Sequence, residues 1–191
     1  MKEFKSITTT DLAHIEKIQH PDSHDNIDLY SPALEIFTDF NTQQPLLLEQ
    51  SVGLDTATEL MQKAHVRLKL VIDSEERFRG VISLADLLSV KVMKAADVTG
   101  LKREDLTVAD IMTHKDALRA INIEEFRHAR IGDILQTMKH FGEQHVLVVD
   151  SADQSIQGII SSSDIVRRLH VPVVISERAN SFLEIYNTIH P

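Results

Sequence analysis

The chain states one pattern twice, and an internal repeat constrains a fold more than any composition does. MQKAHVRLKLVID (Met61 to Asp73) is followed by GVISLAD (Gly80 to Asp86). Later, MKHFGEQHVLVVD (Met138 to Asp150) is followed by GIISSSD (Gly158 to Asp164). Met to Asp spans 12 positions in both copies, Gly to the second Asp spans 6, and only the loop between differs, by one residue. A surface loop is where an insertion costs least. Two similar supersecondary units must share a core or face each other across a site, so function belongs between the copies.

With 191 residues the chain has enough surface to build one good-sized domain or two small intertwined ones. Net charge is -9 and the pI is near 5.5, which disfavours a nucleic-acid partner, since displacing counterions needs a basic surface. No apolar run approaches the ~20 residues of a membrane helix, and MKEFKSITTTDLAH lacks the apolar core of a secretory signal. The absence of cysteine removes disulfides, thiolate metal sites and cysteine nucleophiles. A cytoplasmic protein without a membrane partner is expected.

Periodicity places the elements. Thr10 is read as the cap of a short helix carrying Leu12, Ile15 and Ile18, stopped by Pro21. Ser31-Pro32 reads as an N-cap and first helical residue, opening a helix with Ala33, Ile36, Phe37 and Phe40. In the first copy PLLLE is a strand, Leu54 to Ala64 a helix burying Leu54, Ala57, Leu60, Met61 and Ala64, and LKLVID and FRGVIS are strands joined by SEER. A helix follows from Ser83 through Leu84, Leu87, Leu88 and Lys91, with a stop at Gly100. The second copy repeats the order: helix Val108 to Met112, strand Arg119 to Ile123, helix Ile131 to His140, strands QHVLVVD and IQGIIS, and helix Ser161 to Leu169. A final helix is expected to carry Phe182, Ile185, Tyr186 and Ile189 on one stripe.

GVISLAD and GIISSSD share an anatomy: a β-branched strand, then Ser, two residues, and Asp opening a helix. Taken singly, each Ser-x-x-Asp is a capping box, in which serine accepts from an early amide and the acid bonds back. Taken as a pair, the motifs suit a nucleoside ligand. Free amides at the helix start attract phosphate, the serine adds a hydroxyl, and the aspartate suits the vicinal hydroxyls of a ribose.

The order helix, LVID strand, polar turn, GVIS strand and Ser-x-x-Asp, together with VADIMTH (Val108 to His114), resembles the cystathionine-β-synthase (CBS) domain. Two copies in tandem resemble the CBS pair, or Bateman module, over roughly Pro45 to His170. The resemblance implies an α+β fold of mixed α/β units: two pseudo-symmetric motifs packed as one module, with N- and C-terminal helical extensions. The expected divisions are an N-terminal extension (1–44), motif 1 (45–92), a linker (93–107), motif 2 (108–171) and a C-terminal helix (172–191). It also implies a regulatory, non-catalytic module that binds AMP, ADP, ATP or S-adenosylmethionine, needs no cofactor, forms a homodimer and signals to a separate protein.

The ribose-binding acid of the family falls on Asp86 and Asp164, its hydroxyl on Ser83 and Ser161, and the residue facing the base on Ile82 and Ile160. Ser162 and Ser163 add hydroxyls to the second copy, and Arg127, His128 and Arg130 before the Ile131 helix offer a phosphate clamp, although a solvated turn is the favoured reading of them. The second-copy cleft is therefore the expected ligand site. The other class of function is a ligand-free dimerisation or interaction module, whose Ser-x-x-Asp boxes merely cap helices. His14, His20, His24, Asp22, Asp25 and Asp28 follow no metal-ligand spacing and read as a solvated loop. His65 and His145 stand at strand entries with no nucleophile motif nearby.

Overall fold

Repeated residues form repeated elements. The computed structural model describes residues 6–18 and 27–169. A one-turn 3-10 helix, Ala33–Ile36, leads into β1 (Thr38–Asp39). The first copy then supplies β2 (Leu47–Glu49), α1 (Leu54–Lys63), β3 (Leu68–Ile72), β4 (Phe78–Ser83), α2 (Leu84–Leu87) and α3 (Val90–Thr99). The second follows with α4 (Val108–Ile111), β5 (Thr113–His114), β6 (Ala120–Asn122), α5 (Ile123–Phe126), α6 (Ile131–Phe141), β7 (His145–Asp150), β8 (Ser155–Ser161) and α7 (Ser162–Leu169).

The helices form because their apolar residues recur at helical spacing. In α1, Leu54, Ala57 and Met61 are buried; in α6, Ile131, Ile134, Leu135 and Met138 are. Each of the Leu, Ile and Met side chains contributes about 1.5–3 kcal/mol of burial. Both helices end on a left-handed residue, Gly142 at φ 66° after α6 and His65 at φ 52° after α1. The strand turns match as well: the Asp73 carboxylate accepts from the Glu75 and Arg77 amides, Asp150 accepts from Ala152, and Glu76 and Gln154 both take positive φ.

Two four-stranded sheets result, ordered β2-β3-β4-β5 and β1-β8-β7-β6. Each combines one parallel pair with two antiparallel pairs, and the pseudo-symmetry holds to the residue: Leu47 pairs with Leu70 as Ala120 pairs with Leu147. The edge strands are exchanged. β1 precedes the first sheet yet closes the second, while β5 precedes β6 yet closes the first. The cores follow the exchange. Ala33 and Ile36 pack with Phe126, Ile134, Met138 and Ile160, whereas Val108 and Ile111 pack with Leu54, Met61, Val71 and Ile82. Backbone bonds reinforce it: the Val108 amide donates to Val52, and the Ala33 amide donates to Ala129, both at 2.9 Å.

Several expectations are corrected. Residues 11–18 form no helix; Ile15 donates to the Leu12 carbonyl in a single turn. Leu12, Ile15 and Ile18 are 72%, 61% and 80% exposed, so nothing supports a helix too short to stand alone. Ser31 is not the cap of the 3-10 helix: Pro32 is, and the Ser31 hydroxyl instead bonds Asp28. That helix stops after one turn because Phe37 turns extended to enter β1, leaving Phe40 beyond it. Leu60 and Ala64 face outward on and just after α1. The helix expected from Ser83 through Lys91 breaks at Leu88–Ser89, where the Ser89 hydroxyl caps α3 by accepting from the Lys91 amide. Residues 93–99 of the segment 93–107 complete the helix α3, and Ile123 opens the short helix α5 rather than ending a strand. The tail helix with Phe182, Ile185, Tyr186 and Ile189, and the loop residues His20, Asp22, His24 and Asp25, lie outside the described residues.

The edge strands explain the glycines of the repeat. A Cβ on Gly80 would stand 2.2 Å from the Thr113 carbonyl oxygen, and one on Gly158 would stand 2.3 Å from that of Thr38. Both contacts are to backbone and cannot relax cheaply. Gly80→Ala and Gly158→Ala should each destabilise the fold by about 2 kcal/mol or more in urea titration. Gly53→Ala, where the nearest atom is the Leu106 carbonyl at 4.0 Å, should cost roughly 1 kcal/mol or less.

Candidate ligand-binding cleft

Strand alternation decides which side of each repeat faces the space between the sheets. In β4, Gly80 and Ile82 are buried in the first core while Val81 and Ser83 face the other way; in β8, Ile160 is in the second core and Ile159 faces out. A cleft of about 650 Å³ opens there, within the ~300–1,000 Å³ usual for small-molecule sites. Its apolar wall includes Val81, Leu118, Ala120, Val146 and Ile159, so it draws on both copies. Ile82 and Ile160 do not line it, because the period-two pattern points them into the cores and leaves the wall to their neighbours.

The Ser83-x-x-Asp86 motif stands on the cleft and forms a complete capping box. Asp86 Oδ2 accepts from the Ser83 amide at 3.1 Å and the Ser83 hydroxyl at 2.6 Å, and the Asp86 amide donates to Ser83 Oγ at 3.0 Å. The other oxygen, Oδ1, is paired with Lys91 Nζ on the first turn of α3. The carboxylate is 15% exposed and the ammonium 38%. Arg67 and Arg119 also line the cleft, neither with a carboxylate partner among the described residues; Arg119 lies over the Phe141 ring at 4.8 Å. In a chain of net charge -9, this concentration of cations is local chemistry rather than composition.

The second motif is built differently. Ser161 Oγ bonds Ser163 Oγ at 2.5 Å and accepts from the Ser163 amide, so it caps α7 without the acid. Asp164 Oδ1 instead accepts from Arg167 at 2.6 Å, and the Ser162 amide donates to the Gln144 carbonyl. None of Ser161, Ser162 and Asp164 lines the cleft, and neither do Arg127, His128 and Arg130. Arg127 pairs with Glu124 at 2.8 Å, His128 is exposed, and Arg130 sits before α6 with its guanidinium 5.9 Å from the Tyr30 ring.

The structure thus brings Ser83 and Asp86 together with Arg67, and with Lys91, Arg119 and Phe141, which sequence reasoning passed over. Aligning the two copies by strand register carries the missing signal. Arg67 and Gln144 are equivalent, as are Arg119 and Leu46, because Leu68 pairs with Ser83 as His145 pairs with Ser161, and Leu47 matches Ala120. The cations therefore have no cationic counterparts at the equivalent positions of the other copy.

The two pseudo-symmetric α/β units exchange edge strands around a shared cleft. The CBS domain family matches residues 37–92 and 108–171, more than half of the chain, and the protein belongs to that family as a tandem CBS pair. Solved structures agree on the fold. A conserved protein of Pyrococcus horikoshii is 22% identical at a TM-score of 0.56, covering 78% of this chain and 98% of its own. CBSX2 of Arabidopsis thaliana, solved in complex with AMP, is 22% identical at 0.53, covering 72% and 94%. A CBS domain protein of Streptococcus pneumoniae is 21% identical at 0.50, covering 72% and 85%. No curated protein sequence matches the chain. Among the described residues no helix is long and apolar enough to cross a membrane, and no group of three or more His, Asp or Glu could hold a metal.

His145 begins β7 on the cleft wall. Burial pushes its imidazole down to about 4; the Asp164 carboxylate opposes this and the Arg67 guanidinium adds to it. The side chain is neutral at pH 7, which suits a wall residue rather than a proton donor. Because the folded value lies below the unfolded one of 6.5, the unfolded chain binds the proton more readily between the two. Stability is therefore complete above about pH 6.5 and is lost as pH falls toward 4. His145→Gln should reduce the loss of stability between pH 7 and pH 4 by roughly 1–3 kcal/mol in denaturant titrations.

Proposed function

We propose that the protein is a regulatory, non-catalytic, cytoplasmic module that senses an adenosine-containing ligand between its two CBS units and passes the signal to a separate protein. The observation that carries this reading is the pairing, in one cleft, of the Ser83–Asp86 motif with three cations and an apolar wall. The acid suits ribose hydroxyls, the wall suits a purine, and Arg67, Lys91 and Arg119 suit phosphate. The AMP complex of CBSX2, a protein of the same fold, is consistent with this. Of AMP, ADP, ATP and S-adenosylmethionine, the cations favour the three phosphorylated ligands over the sulfonium.

This reading places the ligand at the first-copy motif rather than at Ser161–Asp164. Asp86→Ala removes charge-assisted bonds to ribose worth about 1.5–3 kcal/mol each, so AMP and ATP affinity should fall about 100-fold in calorimetric titration. Asp164→Ala should leave affinity within a few-fold. A reversed ranking would move the site to the second motif. A wild-type protein that binds none of the four ligands would leave the interaction-module reading.

A homodimer is part of the proposal and is supported by the surface of α3. Met93 is 69% and Val98 87% exposed, with Leu88 and Val90 also outward. A stable dimer buries roughly 1,000 Å² or more. Light scattering should give twice the 21.6 kDa chain mass at micromolar concentration, and Met93→Asp should shift it toward the monomer.

A further inference from the structure

We infer that Lys91 is a built-in competitor for the ribose and makes the cleft select phosphorylated over unphosphorylated adenosine. The inference rests on the reading of the cleft as an adenosine site and names what decides its ligand. Both oxygens of the Asp86 carboxylate are engaged, and of its roughly four acceptor sites three are filled. Oδ2 holds the Ser83 amide and hydroxyl, and Oδ1 holds the Lys91 ammonium. A ribose diol donates two hydrogen bonds and finds one acceptor site left on Asp86, so it gains the second only by displacing Lys91 from Oδ1 or by crowding the capping bonds at Oδ2.

The two classes of ligand meet this obstacle differently. A nucleoside brings no charge, so taking Oδ1 leaves the ammonium without its anion in a partly desolvated cleft. A nucleotide brings the replacement anion with it. Its phosphate can take up Lys91 together with Arg67 and Arg119, which line the same cleft and have no carboxylate partner among the described residues. One ion pair is exchanged for another, and Asp86 is freed for the sugar.

The exchange also has a mechanical consequence, since Lys91 belongs to the first turn of α3. Asp86 holds that turn twice: through the Lys91 side chain, and through the Ser89 hydroxyl, which donates to the Asp86 carbonyl at 2.9 Å. Ser89 is in turn the cap of α3. Among the described residues the second copy has no such link to a following helix. The position eight residues after Ser161 is Leu169, packed against the core, and Asp164 is held by Arg167 on its own helix. Among the described residues, a cation from the following helix meets the motif's acid at Asp86 alone.

Lys91→Met keeps the length of the side chain and removes its charge at a partly exposed position. Calorimetric titration of wild type and variant with adenosine and with ATP separates the outcomes. Adenosine affinity should rise about tenfold in the variant and ATP affinity should fall about tenfold, so selectivity for ATP collapses roughly 100-fold. Asp86→Asn, which weakens the hold on Lys91 while keeping the shape of the carboxyl group, should likewise narrow the gap between the two ligands. If the variant loses ATP affinity but adenosine affinity is unchanged or lower, Lys91 is a plain phosphate ligand and the competition is overturned while the cleft stands as an adenosine site. If neither protein binds either ligand, the inference and the reading of the cleft fall together.

Discussion

Each sheet is completed by a strand that belongs, in chain order, to the other half of the molecule, and this exchange is possible because a glycine lies beneath each crossing. The Thr113 carbonyl closes over Gly80, and the Thr38 carbonyl over Gly158, at separations no side chain could fit. The crossings bring Ala33 and Ile36 into the second core and Val108 and Ile111 into the first. Neither unit is complete without a segment that precedes the other. The halves are consequently held by ladders and cores as well as by their contact surface, and the cleft between them has walls whose spacing is fixed by the backbone.

The cleft inherits its chemistry from small departures from symmetry. The backbones of the two copies agree in register, in the irregularity toward the C-terminal end of β3 and β7, and in the left-handed residue after α1 and α6. The side chains do not agree. Arg67 has Gln144 as its counterpart, Arg119 has Leu46, and Lys91 has Leu169. Duplication supplied two equivalent frames, and substitution on the frames placed the cations at one motif only. The Ser-x-x-Asp sequence is shared, yet only Ser83 and Asp86 make the reciprocal cap, while Ser161 caps through Ser163 and Asp164 turns to Arg167.

Capping and ligand binding are not competing explanations of the motif, because a carboxylate has two oxygens. Asp86 uses one to close the N-terminus of α2 and directs the other into the cleft, where Lys91 meets it. The cap fixes the carboxylate in place before any ligand arrives, which lowers the ordering cost of binding. Asp86 is also tied to α3 through its backbone carbonyl, which accepts from the Ser89 hydroxyl, so the site is joined to a helix with exposed apolar residues.

The sequence by itself determined the duplication, the strands LKLVID, FRGVIS, HVLVVD and SIQGIIS, the helices α1 and α6, the stop at Gly100 and the family, because each of these rests on local periodicity or short-range pairing. It also singled out Ser83 and Asp86. Only the tertiary structure decided the rest. Strands of two residues such as β1 and β5 carry no period of their own and exist because a distant sheet edge accepts them. The stripe Leu12, Ile15, Ile18 has helical spacing but no surface to bury against, so pattern without a partner gave no helix. Ile82 and Ile160 were taken for the cleft wall, yet alternation reverses with a one-residue shift, and the cores claimed them while Val81 and Ile159 took the wall. The cations Arg67, Lys91 and Arg119 come from three separate stretches of chain, and their meeting is a property of the exchanged sheets that no local pattern records.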